Sequence, residues 1–521
     1  MTRDTPADPT RDVYGRRHVP LLTPAESAAA DERARTAFGV PESVLMENAG
    51  RAAALLVDRM WPRGVVAGVA GSGNNGGDLV VMLRTLKAWG RDVALIQGAS
   101  RPPDPALAHG FDLQPLTDDA ALAALSRADV LVDGILGTGA TGAPRPDAAA
   151  WIERLDTAGR PVVALDLPSG VDATTGRVHD PAVHADLTTC FGWPKLGLML
   201  HPARAHCGRI VAVEIGFPPD VHAATAAVLT PEWVRDRMRE RPAVSHKGSA
   251  GRLLIHAGSM GMAGAAALAA EAAFRAGVGL VRIASPACNR EVLQAAVREA
   301  TYLDADAIGD DDIDAMHALV AGPGLGTDAN ARRALERVLG LTAGVRTLLD
   351  ADALNMLATE PDTIVRLGAE RPLVITPHAR ELGRLTGTDI DDILADTPGA
   401  ARAAAARFGC VVLLKGTPSL IASPDGALLV GSTGSSDLAT AGMGDQLAGV
   451  IGAFRAGGHD PAEAAGLALY LCGRAADRVN AGRSLMPRDV TAALPDAMRD
   501  PGPAAGSSAF PFVLFDQPAR W

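Results

Sequence analysis

Apolar positions in the chain fall into short runs that end at glycine-rich turns, alternating with longer stretches of helical period. In the first half, helical periodicity starts near Glu26 and continues through VLMENAGRAAALLVDRM. Val65–Val69 is a short apolar run. GSGNNGGD follows it, then a helical stripe of Leu79, Met82, Leu83 and Leu86. Strand, glycine turn and helix in that order form the unit with which a parallel sheet holds phosphate beyond its strand ends. Two more apolar runs end in the same way, one at Asp133 before ILGTGATG and one at Val162–Leu165 before Asp166, Ser169 and Gly170. The pattern restarts with RLLIHAG at Arg252, a small-residue helix over Ala263–Ala276, and GLVRIAS. Further strands are predicted at Leu319–Ala321, Thr347–Leu349, Pro372–Ile375 and Val411–Leu414, with β-α-β spacing. The whole predicts two layered α/β domains, 1–225 and 226–497, and a tail over 498–521. Thr230–Arg241 bridges the two domains, and residues 1–20, polar and proline-bearing, form a loose leader.

Composition narrows the partners. Of the 521 residues 48% are hydrophobic but only 4% aromatic, so alanine, glycine and small aliphatics must do most of the packing. A net charge of −11 gives no reason to expect nucleic acid or anionic membrane as a partner. Five cysteines without a CxxC spacing argue against a zinc site or disulfide framework, and Cys190 is expected to pack rather than react. The opening residues carry no signal-peptide pattern. The run Ala263–Gly279 is broken by Glu271 and Arg275, so a cytoplasmic protein without a membrane span is expected.

The polar residues at the strand ends carry the chemistry. Asn75, Asp133 and Ser169 offer only oxygen ligands, a set suited to a hard cation, although each alone also suits a cap or an Asx turn. Thr433–Gly449 places Gly442, Gly444 and Asp445 before an apolar helix that starts just after Asp445. Backbone amides there make an anion-holding corner, in which Asp445 is either a helix cap or a base beside a phosphate. AGPGLG at 321–326 allows close backbone approach, LKGT offers amides and a cation, and His378 follows Pro377 in a strand-end loop within reach of a ligand. Asp350 and Asp352 look like a metal pair, but capping is the expected role. Lys195 is expected to face water.

NNGGD, VDGILGTG, DLPSGVD, TTCFGWPKLGL and MENAG closely resemble the NAD(P)H-hydrate epimerase family over about Leu22–Ile215. The resemblance implies a Rossmann-like fold that interconverts the R and S forms of hydrated NADH or NADPH. It implies a phosphate grip at Asn74, Asn75, Gly76, Gly77 and Asp78, and potassium ligands at Asn75, Asp133 and Ser169. It also implies a substrate loop of Gly137, Thr138, Gly139, Ala140, Thr141, Gly142 and Ala143, with Asp166 as the acidic catalytic residue. Leu79 departs from the family's NNGGDG, and its side chain is expected to narrow the phosphate turn.

HKGSAGRLLI, GPGLG, DADALN, TPH, LKG and GMGD resemble the ADP- or ATP-dependent NAD(P)H-hydrate dehydratase family over about His246–Asp477. That resemblance implies a ribokinase-like domain, adenine-nucleotide contacts at Lys415, Gly416, Thr417, Pro418, Ser419 and Gly444, and hydrated-cofactor contacts at Ala265, Gly324, His378 and Asp445. Asp445 becomes the catalytic base that helps the ring hydroxyl attack phosphate, after which the ester leaves more readily than hydroxide. TPHARE and TAGMGD depart from the usual TPHPGE and paired glycines without deleting His378, Glu381, Gly444 or Asp445. The resemblance further implies ADP (or ATP) as co-substrate and a homo-oligomer, such as a tetramer, and Mg2+ is expected because phosphoryl transfer commonly needs a divalent cation. A small-molecule kinase with an appended NAD-metabolite-binding module is the alternative. TPHARE, GPGLG and the N-terminal pattern count against it. In the tail, Phe510, Phe512, Leu514 and Phe515 are expected to dock back onto the protein.

Overall fold

The computed structural model describes residues 19–100, 104–218, 223–244, 246–313, 315–502 and 512–517. The chain divides into two compact units, Met1–Ala227 with Ala505–Trp521, and Val228–Ala504. In chain order the first unit contains β1 (Val19–Leu21), β2 (Val66–Ala70), β3 (Val93–Gln97), β4 (Val130–Gly134), β5 (Val162–Leu165), β6 (Leu187–Phe191) and β7 (Arg209–Val213). β1 corrects the expectation of a loose leader at its last residues: Val19 and Leu21 are buried, and residues 1–18 lie outside the described ones.

β2 to β7 run parallel in the order β7-β6-β5-β4-β2-β3. Successive residues face opposite layers. Val130 and Val132 of β4 join one apolar cluster while Leu131 joins the other, as a sheet covered on both faces requires. The chain steps from β2 out to β3 and returns with β4 on β2's other side, so the topological switch lies between β2 and β4. The tail strand Val513–Gln517 pairs antiparallel with β7, pairing Val513 with Val213 and Gln517 with Ile210. Arg209 Nε holds Asp516 Oδ1 at 2.8 Å, and Val513 is buried. This strand closes an otherwise open sheet edge. Phe510 lies outside the described residues.

Leu79 does not narrow the turn. It is fully buried in the helix Asn74–Ala88 and fills the space left by Gly68 of β2, where an added Cβ would come 2.5 Å from Leu79 Cδ1.

The second unit begins after β8 (Ala226–Val228). Thr230 caps the short helix Pro231–Arg237, its hydroxyl accepting from Trp233 N at 3.1 Å, so the bridge contains a turn of ordered helix. The following strands are β9 (Arg252–His256), β10 (Leu280–Ser285), β11 (Thr301–Asp304), β12 (Ala318–Ala321), β13 (Arg346–Leu349), β14 (Leu373–Ile375), β15 (Val411–Leu414), β16 (Leu420–Ala422) and β17 (Leu428–Val430). Their order is β17-β16-β15-β14-β13-β12-β9-β10-β11, parallel from β15 to β11 and antiparallel over β15-β16-β17. The switch here lies between β9 and β12. Helix Ala263–Arg275 packs on helix Met443–Ala456 so closely that a Cβ on Gly449 would lie 2.0 Å from Ala269 O. Small residues allow that approach, which is how a chain poor in aromatics fills its core. Among the described residues no helix is long and apolar enough to cross a membrane.

Candidate active sites

In the first unit the loops after β2 and β4 meet at the switch. Their joint is the Leu136 peptide: its carbonyl accepts from Asn75 Nδ2 at 2.8 Å, and its amide donates to Ser169 Oγ at 2.9 Å. Asp133 is fully buried and accepts from Ser169 Oγ and Ser169 N, both at 2.7 Å. Thus Asn75, Asp133 and Ser169 converge. Burial pushes the Asp133 carboxyl up to about 6, against the pull of its Ser169 and Ile135 donors. Asn75 Oδ1 is buried with no hydrogen-bond partner. An orphan amide oxygen beside a buried carboxylate fits a hard cation such as potassium.

A cavity of about 870 Å³ opens beside this cluster, lined by Asp31, Glu42, Asn74, Asp78, Asp166 and Lys195 among others. Residues 137–140 of the expected substrate loop line it, whereas Thr141, Gly142 and Ala143 do not. Gly76 and Gly77 also lie off its wall. A Cβ on Gly76 would be 2.1 Å from Gly71 O, and one on Gly77 would be 2.7 Å from the Met46 side chain. Asp78 is buried, and burial, then Asp166, Asp31 and Glu42, drives its carboxyl well above the ordinary range. Burial thus disfavours its charged form at this wall of the cavity.

Lys195 corrects the expectation that it faces water. Its side chain is 4% exposed, and its ammonium lies 2.7 Å from Asp166 Oδ1 and 3.1 Å from Trp193 O. Burial pulls the ammonium down, but Asp166 more than reverses this and leaves it above the usual lysine value. Asp166 itself sits at φ 64°, a left-handed conformation costly for a side-chain-bearing residue, just past the end of β5. The sequence reading also passed over Asp31, on the helix Pro24–Ala37. Burial pushes its carboxyl up to about 6, with Lys195 opposing and Asp166 and Glu42 adding.

In the second unit the loops after β9 and β12 approach each other, Gly258 N donating to Pro323 O at 2.8 Å. Gly324, at φ 60°, sits where an added Cβ would be 2.9 Å from Ala265 Cβ, so these two expected substrate contacts adjoin. The helix carrying Asp445 begins earlier than expected, at Met443, with Gly442 as its N-cap at φ 88°. Asp445 is its third residue, so Gly442 and not Asp445 holds the N-cap position. Burial pushes its carboxyl up to about 6; Asp350 and Asp352 add to this and Lys415 opposes.

Asp350 and Asp352 are not caps either. Asp350 occupies the N-cap position of the helix Ala351–Leu357 without a capping bond, and its Oδ1 holds Lys415 Nζ at 2.7 Å. Asp352 Oδ2 accepts from Gly326 N at 2.9 Å and pins the glycine loop. His378 does cap. Its Nδ1 accepts from Glu381 N at 3.2 Å while Glu381 Oε2 accepts from His378 N at 2.8 Å. Burial lowers the imidazole, with Glu381 opposing, and the ring is half-exposed to a ligand. Lys415–Ser419 forms a turn with a cis Thr417–Pro418 bond, in which Gly416 N donates to Ser419 Oγ at 3.2 Å.

Comparison with known proteins divides the chain in the same two. Residues 42–197 match the family described as YjeF-related protein N-terminus, and residues 253–496 match the NAD(P)H-hydrate dehydratase family. The bifunctional NAD(P)H-hydrate repair enzyme of Moorella thermoacetica is 37% identical over 517 residues, covering 92% of this chain and 97% of that protein. Its counterpart in Mycobacterium leprae is 36% identical, covering 86% and 92%. Among solved structures, the ADP/ATP-dependent NAD(P)H-hydrate dehydratase of Bacillus subtilis, co-crystallised with ATP and Mg2+, is 31% identical. It covers 52% of this chain and 97% of its own, with a TM-score of 0.47.

Proposed function

The chain belongs to the family of bifunctional NAD(P)H-hydrate repair enzymes, and on that footing we propose that its two switch-point sites divide the work. The N-terminal site epimerises R and S hydrates of NADH and NADPH; the C-terminal site dehydrates the S form at the expense of an adenine nucleotide. The observation that carries this division is that each unit sets a carboxylate beyond the C-terminal ends of its parallel strands, Asp166 just after β5 and Asp445 at a helix start whose Gly444 faces Asp350, the residue after β13. The near-full-length match to bifunctional relatives sets aside the small-molecule kinase.

At the N-terminal site Asp166, fixed by Lys195, moves the proton as the hydroxyl-bearing ring carbon opens and recloses. Asn74 and Asp78 meet the phosphates. Asn75, Asp133 and Ser169 would hold potassium, whose charge would organise these polar strand tips.

At the C-terminal site Asp445 takes the proton of the ring hydroxyl as it attacks the terminal phosphoryl group. The amides of the Gly442–Gly444 turn receive the developing charge. Ala265, Gly324 and His378 seat the hydrated ring, and the Lys415–Ser419 turn seats the nucleotide. ADP is the proposed donor, with ATP as the alternative. Mg2+ is proposed to arrive carried chiefly by the nucleotide phosphates. A homo-oligomer, proposed as a tetramer, rests on family resemblance.

The test uses separated R and S hydrates. Asp166→Ala should abolish epimerisation and leave dehydration of the S hydrate intact. Asp445→Asn should keep nucleotide binding and lower dehydration about 10²-fold or more. Equal loss of both activities in either variant would refute the two-site assignment.

A further inference from the structure

In the C-terminal site Lys415, the first residue of the nucleotide turn, is paired with Asp350, to which these steps give no task. Lys415 Nζ lies 2.7 Å from Asp350 Oδ1 and 3.9 Å from Glu381 Oε2, with the Asp350 side chain 2% exposed. The pair stands against the anion corner itself: a Cβ built on Gly444 would be 3.9 Å from both Asp350 Oδ2 and Lys415 Nζ. Backbone contacts lock both partners. Lys415 N donates to Pro377 O at 2.8 Å and Asp350 N to Ala321 O at 3.0 Å. Gly322 passes so near that an added Cβ would be 1.7 Å from Asp350 O.

An ammonium already bound to a carboxylate is a weaker phosphate ligand than a free one, because its charge and one of its three donors are engaged. Lys415 also forms no ion pair with Asp445, although it lies close enough to act on it through space. We propose that Asp350 is a positioning residue of the dehydratase site: it holds the Lys415 ammonium against the Gly444 turn and off Asp445, leaving Asp445 free to take the substrate's proton. This rests on the assignment of Asp445 as the base.

The charges around the base act in opposite senses. Asp350 and Asp352 favour the protonated form of Asp445 and Lys415 the ionised form, on top of burial. Around Lys415 stand Asp350, Glu381 and Asp445. Glu381 is engaged by His378, which in turn feels Arg380 and Arg384. Neutralising Asp350 removes a negative neighbour of the base and releases Lys415 toward it. Neutralising Lys415 with a side chain that can still hydrogen-bond Asp350 removes the opposing charge alone.

The experiment measures kcat for nucleotide-dependent dehydration of the S hydrate against pH, at saturating substrates, in the full-length enzyme. Variants are Asp350→Asn, Asp350→Glu, Lys415→Gln and Asp445→Asn, with epimerase activity as a check on integrity and nucleotide Kd measured alongside. Asp350→Asn should move the acid limb of the profile toward lower pH by about one unit and reduce kcat more than nucleotide affinity. Lys415→Gln should move the limb the other way, and Asp350→Glu should restore it. Limbs that stay in place in both neutralised variants overturn the proposal, whatever the rates, and Lys415→Gln alone decides it should Asp350→Asn fail to fold. Near-normal dehydration by Asp445→Asn would instead overturn the assignment of the base.

Discussion

The buried Asp166–Lys195 pair is the residue-scale feature on which the N-terminal site depends. The Lys195 side chain is 4% exposed and that of Asp166 12%, so little water can replace either partner. Lys195→Met should therefore cost about 3 kcal/mol, the scale for breaking a buried pair, and abolish epimerisation while S-hydrate dehydration continues. Urea unfolding followed by circular dichroism, with epimerisation and S-hydrate dehydration assayed in the absence of urea, checks both halves of this expectation. Nothing in the sequence around WPKLG announces the pair, because Asp166 lies 29 positions away and meets Lys195 only once β5 and β6 are side by side. Asp350 and Lys415 escaped in the same way, being 65 positions apart. Asp133, Asn75 and Ser169 were legible because each follows an apolar run, so register alone brings them to one sheet end. Leu79 was misjudged because its space is made by Gly68, on a different element.

Elements were legible where an unbroken apolar run ends at a turn signal. β5 and β15 lie where the sequence puts them, at Val162–Leu165 and Val411–Leu414. β11, β16 and β17 did not show, since TYLD is broken by polar residues and the three-residue LIA and LLV depend on neighbouring strands for their pairing. β9 carries a buried liability at its end. His256 is 1% exposed, its Nδ1 faces Ala284 O at 3.2 Å, and its Nε2 has no hydrogen-bond partner. Burial pushes the imidazole down to about 4 in the fold, with Ala284 and Asp306 opposing. The unfolded chain binds this proton below about 6.5 and the folded one does not. Stability from this residue is therefore complete above pH 6.5 and lost as pH falls toward 4, by up to about 3 kcal/mol. Thermal melts of His256→Asn should show a shallower loss of stability than the wild type between pH 6.5 and 4. Parallel curves would dismiss the residue as the cause.

At the scale of the whole molecule, two sheets with two switch points make the activities separable by solvent as well as by mutation. The orphan Asn75 Oδ1 and the buried Asp133 belong to the first unit alone. Exchanging potassium for tetramethylammonium at constant ionic strength should lower epimerisation, and restoring potassium should recover it. Parallel assays that show no potassium dependence of epimerisation would remove the cation from the site.

The tail strand has a consequence for synthesis. β7 leaves the ribosome long before Val513–Gln517, with the whole second unit translated in between. At ordinary elongation rates the first sheet therefore waits on the order of tens of seconds with an unpaired edge. The nascent epimerase half is exposed to pairing with a neighbouring chain on the same message during that interval. A gene divided at the boundary between the units would make that exposure permanent, because the strand that seals the first product would be encoded with the second.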